Sequence, residues 1–325
     1  MEQLREKFLG SIVGCAVGDA LGAPYEGALP LLIRLNPEQA SRFQQIPGYP
    51  LGQYTDDTQL TMAIMRAVCR VRAVEGSSVA DEFVRLWQTG EIVGAGASCS
   101  TAVRNMLTHG MSWDEAGTPQ GRAGNGTAMR AAPVGLWNYA HLDEIEEDAR
   151  ITSIITHKDT RSIGGTIAVA VAVALCVGET EIDSGSFLET IGEYVRGTSE
   201  LLAGSIEELP HWLRLEPQEA MPHIYAAGEP DMGPRNPPCV TPYVIPTIIC
   251  ALYCFLKSPH DYMSSVVGAI NAGGDTDTVA AITGAISGAL NGISAIPEHL
   301  VRTVKDSEKI SALAEEFYEL TVSRN

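Results

Sequence analysis

Apolar positions along this chain recur at helical spacing. The stretch 3–22 is apolar for most of its length, and Gly10, Gly14, Gly18 and Gly22 fall four apart within it. Residues four apart share one helix face, so these glycines form a stripe that lets another helix approach closely. Gln59 to Val71 puts Leu60, Ile64, Ala67 and Val71 on one face and predicts a second helix. Short amphipathic helices are expected at 79–89 and 100–108, and further helices at 151–156 and 164–178, either side of the polar step HKDTRS. Ala and Val alternate over 167–175, which suits a strand. Ala favours helix and the run is long, so a buried helix is the expectation.

The second half continues the pattern. Residues 180–227 are more polar and read as helices with loops, and 228–242 hold five prolines and read as a loop or flap. Residues 244–256 predict an apolar helix broken by Pro246 near its start, and 306–322 predict an exposed amphipathic one. Residues 278–297 carry no charge and reach the length of a membrane span. Thr, Ser, Asn and three glycines (Gly284, Gly288 and Gly292) interrupt that stretch and an acidic motif opens it, so a buried core helix is expected. With no strand pattern, repeat or compositional break, the expected fold class is all-α, as one compact domain over 1–325.

Charge narrows the function. The chain has 40 Asp and Glu against 22 Lys and Arg, a formal net charge of −18. It is repelled by phosphate backbones and anionic membrane faces, which argues against general nucleic-acid binding and against a membrane partner. The seven cysteines are odd in number, form no CxxC and lie mostly in apolar stretches. They fit buried reduced thiols in a cytoplasmic protein better than disulfides or a zinc site. The N-terminus, with Glu2 and Glu6 beside its basic residues, does not read as a secretion signal.

Two acidic segments then stand out, Tyr54-Thr55-Asp56-Asp57-Thr58 and Gly273-Gly274-Asp275-Thr276-Asp277-Thr278, each directly before a predicted helix. Asp and Thr are good N-caps, but a cap uses one side chain and each segment has two acids. If the segments meet, four carboxylates converge. Two such charges about 4 Å apart repel by about 4 kcal/mol at an effective dielectric of about 20. Protons or cations must relieve this. Carboxylates and hydroxyls are hard donors that suit Mg²⁺, Mn²⁺ or Ca²⁺, and two ions can share that many oxygens. Between them lies Gly124-Asn125-Gly126-Thr127-Ala128-Met129-Arg130, whose glycines can turn backbone N–H groups to a ligand. It lacks a P-loop lysine, and an ordinary turn explains it equally well. Gly94-Ala95-Gly96 is a weaker instance. His157, beside Asp159 and Arg161, reads singly as a structural histidine.

Taken together, these segments resemble the ADP-ribosylglycohydrolase family over nearly the whole chain. The carriers are GSIVGCAVGDALGAPYEG at 10–27, YTDDTQLTMAI at 54–64, GAGAS at 94–98, GNGTAMRAAPVG at 124–135, THKDTR at 156–161 and NAGGDTDTVAAITGAISGA at 271–289. The resemblance implies a compact orthogonal bundle of many helices with two Mg²⁺ or Mn²⁺ ions. By position, Thr55, Asp56, Asp57, Asp275, Asp277 and Thr278 would be their ligands. Gly94, Gly96, Gly124, Asn125, Gly126 and His157 would lie along ADP-ribose. Glu26 would be the catalytic acid or base, with Glu91 the other acid weighed for that role and Asp19 a brace. The implied reaction is hydrolysis at C1″ of ADP-ribose attached to an arginine or serine side chain or a small molecule, with ADP-ribose as product and the chain as a monomer. Two alternatives stand beside it. A prenyl diphosphate synthase would need Asp where this chain has Leu60, and a non-catalytic ADP-ribose-binding relative would bind without turnover.

Overall fold

The computed structural model describes residues 2–229 and 238–324. The chain opens on α1 (Glu2–Gly22), the short α2 (Pro30–Ile33), α3 (Asp56–Val71), α4 (Gly76–Thr89) and α5 (Ala97–His109). It continues with α6 (Ala132–Trp137), α7 (Ile145–Ile154), α8 (Thr160–Gly178), α9 (Ser184–Arg196), α10 (Glu200–Trp212) and α11 (Pro217–Tyr225). The remaining helices are α12 (Val244–Lys257), α13 (Tyr262–Asn271), α14 (Thr276–Asn291), α15 (Glu298–Thr303) and α16 (Ser307–Arg324). Among the described residues the only β pairing is three isolated bridges, so the fold is all-α.

The glycine stripes explain the centre. A Cβ on Gly10, Gly14, Gly18 or Gly22 would overlap the backbone carbonyl of Gly288, Gly284, Ala280 or Thr276 in turn. These pairs run in opposite directions, so α1 and α14 lie antiparallel in backbone contact. Tyr262 Oη and Thr276 Oγ1 seal the seam by donating to the carbonyls of Gly14 (2.7 Å) and Gly22 (2.9 Å). The antiparallel sense brings the last turn of α1 to the first turn of α14, and the site forms there. The alternating Ala and Val of 167–175 lie in α8, a helix buried on nearly all sides. Residues 2–25, which include α1, and α8 are long and apolar enough to cross a membrane, but 83 % of each apolar window is buried inside the protein.

Several boundaries differ from the sequence pattern. α3 begins at Asp56 and α14 at Thr276, so acids from both motifs sit inside the first helical turn, where the dipole favours them. The uncharged stretch 278–297 is not one helix. α14 stops at Asn291, and Gly292 turns the chain out at φ +79°. α7 starts earlier than expected because Glu146, Glu147 and Asp148 occupy its first turn without adding apolar period. Pro246 does not break α12. It stands in the first turn, where its missing N–H would have had no helical partner. α16 is exposed on one face only, since Ile310, Ala314, Phe317 and Tyr318 are buried. Of the predicted flap at 228–242, residues 230–237 lie outside the described residues, while 238–243 run between the two halves of the site.

Candidate active site

Asp19, fully buried in the last turn of α1, is the residue that caps α3. It accepts the Thr55 amide at 2.9 and 3.0 Å and the Thr58 amide at 3.1 Å. It also accepts the hydroxyls of Thr55 (2.9 Å) and Thr58 (2.6 Å). The free amides at the helix start are therefore served from another helix. Asp56 and Asp57 are released from capping, and both are buried. Thr55 Oγ1 also donates to Asp57 Oδ2 at 3.2 Å, whereas Asp57 Oδ1 is buried with no hydrogen-bond partner.

The start of α14 is built differently. Gly273 and Gly274 both have positive φ (68° and 82°) and thread between two backbones. A Cβ on Gly273 would meet Pro30 and the Ala28 carbonyl, and one on Gly274 would overlap Val240. Gly274 exchanges hydrogen bonds with residues 27 and 28 at 2.8 Å, and the Asp275 amide donates to the Val240 carbonyl at 3.0 Å. Asn125 Nδ2 donates to Asp275 Oδ2 at 2.7 Å and is itself held 3.0 Å from Thr247 Oγ1. Asp277 Oδ1 accepts the Thr278 amide at 2.9 Å.

Both segments open on one cavity of about 350 Å³, lined by Asp56, Asp57, Asp275, Asp277, Thr278 and, at its edge, Glu26. Thr55 is not part of the lining, because its hydroxyl is engaged by Asp19 and Asp57. The carboxyls feel one another. Burial, then the charges of Asp19 and Asp277, push Asp57 well above the usual carboxylate range. Burial, then Asp275 and Asp19, do the same to Asp277. Asp56 is pushed up to about 7 by burial and then by Asp19. Asp19 itself rises to about 6 through burial, against the pull of its threonine donors. Glu26 is raised by partial burial and by Asp275. Glu91 does not line this cavity. It bounds a different one, with Arg85 3.7 Å away.

The glycine-rich steps line the same cavity. Gly94, at φ +78°, lies against Thr55 and Asp56, and Gly96 precedes the first residue of α5 with its amide on Asp56. A Cβ on Gly124 would come within 2.9 Å of His157 Nε2, and one on Gly126 within 3.0 Å of His157 Cε1. These two glycines therefore make room for the imidazole as well as facing the cavity. His157 is buried, its Nδ1 2.9 Å from Thr156 Oγ1. Burial, then the Arg130 charge, push its pKa down to about 3, so it faces the cavity as a neutral ring.

Two contributors, Arg130 and Gln59, are not assigned from sequence, and Asp19 is expected there only as a brace. Arg130 is fully buried. It donates to the Thr152 carbonyl (3.1 Å) and Thr156 Oγ1 (2.7 Å), stacks 4.6 Å over the Phe83 ring, and its charge partly offsets Asp56. An arginine inside the apolar run AMRAAPVG was the available signal. Gln59 ties the loop before α5 to α3, donating to the Glu91 carbonyl at 2.6 Å and accepting the Val93 amide at 2.8 Å. Asp19 carried no signal as the cap of α3, because its partners lie 36 and 39 residues away. Asp159 and Arg161, by contrast, are a structural pair at 2.8 Å that starts α8.

Among the described residues, no three Asp, Glu, His or Cys side chains form a ready-made metal cage. The chemistry of the site nevertheless suits hard cations. Its donors are carboxylate and hydroxyl oxygens, Asp57 Oδ1 lacks any partner, and buried carboxyls crowd together with no lysine or arginine among the lining residues.

Fold and site define an all-α protein with a buried carboxylate cleft walled by glycine-rich turns. The family model for ADP-ribosylglycohydrolases matches residues 1–325, and the chain belongs to that family. Membership places it among hydrolases of ADP-ribosyl bonds. The chain is 31 % identical over 319 residues to an uncharacterised protein of Archaeoglobus fulgidus, covering 98 % of this chain and 97 % of that one. It is 26 % identical to the mouse ADP-ribosylhydrolase ARH3, covering 96 % and 91 %. Identity to the ADP-ribosylarginine hydrolase Tri1 of Serratia proteamaculans is 27 %, covering 96 % and 79 %. A solved structure titled ADP-ribosylglycohydrolase-related protein complex has the same fold, with a TM-score of 0.73, 23 % identity and coverage of 99 % of this chain and 100 % of that one.

Proposed function

We propose that this chain is a metal-dependent hydrolase that cleaves the bond at C1″ of ADP-ribose carried on an arginine or serine side chain or on a small molecule, releasing ADP-ribose. The observation that carries the reading is the set of buried, mutually repelling aspartates around one cavity, with Asp57 Oδ1 unpartnered. Asp56, Asp57, Asp275, Asp277 and Thr278, which line the cavity, would hold two Mg²⁺ or Mn²⁺ ions, with Thr55 bracing Asp57. Bound there, such ions supply Lewis acidity that orients a sugar diol and makes water a better nucleophile.

The chain's own groups do the rest. Asn125 fixes the Asp275 carboxylate by its 2.7 Å bond. The start of α5, with Ala97 and Ser98 on the cavity wall beside Gly96, offers backbone amides and a positive helix end to a diphosphate. Cleavage at C1″ develops oxocarbenium character, and a carboxyl at the rim must pass a proton to the leaving group or take one from water. Glu26 lines the cavity, and burial and the Asp275 charge raise its pKa, which favours the protonated form needed to donate. The chain is read as one domain acting as a cytoplasmic monomer.

Hydrolysis of ADP-ribosyl-arginine and ADP-ribosyl-serine peptides with Mg²⁺ or Mn²⁺ tests this directly. Release of free ADP-ribose that stops on chelation and returns with metal is the expected result. Release that survives full chelation would remove the metals from the reading. Tight ADP-ribose binding with no release from either peptide would make the chain a reader instead of an enzyme.

A further inference from the structure

A second cavity, of about 410 Å³, shares the segment between Tyr54 and Gln59 as a wall with the acidic cleft. Its charge is reversed. Arg66, Arg85, Lys305 and Lys309 line it, against Glu91 and Asp306, in a chain with 40 acids to 22 bases. Glu82 neutralises part of this from behind, at 3.1 Å from Arg66, 3.2 Å from Arg85 and 2.7 Å from Arg70. Counting Arg70 and Glu82, the cluster still holds five cations to three acids.

The cavity is held together by specific contacts. Asp306 is one of two non-glycine residues with positive φ among the described residues, at 56°. It is fixed there by Tyr54 Oη at 3.1 Å and by Lys309 Nζ at 2.7 Å. The Lys305 amide donates to the Gly52 carbonyl at 3.0 Å, and its ammonium lies 5.4 Å from the centre of the Tyr54 ring. A strained residue kept in place by its surroundings is a feature of binding sites. Here it stands between Lys305, in the turn before α16, and Lys309, in the first turn of α16, in a cavity also lined by Arg66 and Arg85.

We propose that this cavity binds a phosphate-bearing anion, at a site separate from the acidic cleft. Guanidinium groups pair with phosphate oxygens in a fork, and ammonium groups add point charges. A surplus of positive charge within a strongly acidic protein attracts such an anion to this cavity. The volume is that of a small-molecule site.

Inorganic phosphate is the probe, titrated into the full chain with saturating Mg²⁺ and ADP-ribose and followed by ³¹P line broadening. One saturable site is expected to remain when ADP-ribose fills the cleft. The paired substitution Lys305→Gln with Lys309→Gln should weaken it about tenfold or more, equivalent to about 1.4 kcal/mol. Arg85→Gln, on the facing wall, gives the same reading independently, with circular dichroism to confirm folding. Absence of saturable binding, or unchanged affinity in both variants, would overturn the proposal. The variant comparison does not depend on ADP-ribose binding, so its outcome is separate from that of the proposed hydrolase activity.

Discussion

Aspartates stand at the starts of two kinds of helix in this fold. At α9 and α13, Asp183 and Asp261 are exposed and accept the amides of Ser186 and Ser264, both at 2.9 Å. Their hydrogen bonds to these serines hold both carboxyls below the usual range. At α3 and α14 the aspartates are buried, neither N-cap residue makes a side-chain cap bond, and the aspartates whose pKa moves are raised. The same residue type close to a helix start therefore does opposite work. Capping stabilises the ionised form at the surface, whereas burial without capping accumulates charge that only protons or cations can relieve. What separates the two is where the cap comes from. α3 borrows Asp19, and α14 turns its N-cap residue Asp275 toward Asn125 and the cavity.

Substitutions at the two kinds of helix start should differ widely in effect. Asp275→Ala or Asp57→Ala should cut peptide hydrolysis by roughly 10³-fold or more, on the scale of losing a catalytic electrostatic group, with helical circular dichroism retained. Unchanged turnover would remove that residue from the site. Glu26→Gln should lower turnover by about 10²-fold while leaving bound metal in place, which kinetics and metal analysis would separate. Asn125→Ala should cost about 10–100-fold in metal affinity or activity, because Asp275 loses the group that aims it. Asp19→Ala should lower unfolding free energy by about 3 kcal/mol, measured by denaturant titration, since buried amides and hydroxyls lose their acceptor. Asp261→Ala should cost only about 1 kcal/mol and leave turnover unchanged.

The pH response sharpens the same contrast. Asp56 and Asp19 titrate near 7 and 6 in the folded chain, against about 3.9 when unfolded. Between those values the folded state binds more protons than the unfolded one, so the stability of the chelated protein falls as pH rises through that window. The lowered pKa values of Asp183 and Asp261 act in the opposite direction, at lower pH and at exposed sites. Chelated protein should therefore melt higher at pH 5 than at pH 8, and Mg²⁺ or Mn²⁺ should raise the melting temperature most at pH 8.

Local pattern carried much of this to the reader of the sequence. Four-residue glycine spacing on α1 and α14 announced backbone contact, and the structure pairs those stripes position by position. The excess acid in 54–58 and 273–278 announced something beyond capping. What pattern could not supply was who touches whom across the chain. Gly124 and Gly126 read as ligand turns, but His157 also needs the space they leave. Glu91 lay one short loop from Gly94 and still faces another cavity. Helix starts were placed late because acids in a first turn carry no apolar period, although the dipole and a distant cap hold them there.

On the proposed reading, the buried aspartates of α3 and α14 hold cations. Counting Mn²⁺ retained per chain after gel filtration tests it most directly, comparing wild type with Asp57→Asn combined with Asp277→Asn. Two ions per wild-type chain and none in the double variant is the predicted result. A wild-type chain that retains no metal and still releases ADP-ribose from a modified peptide would contradict it.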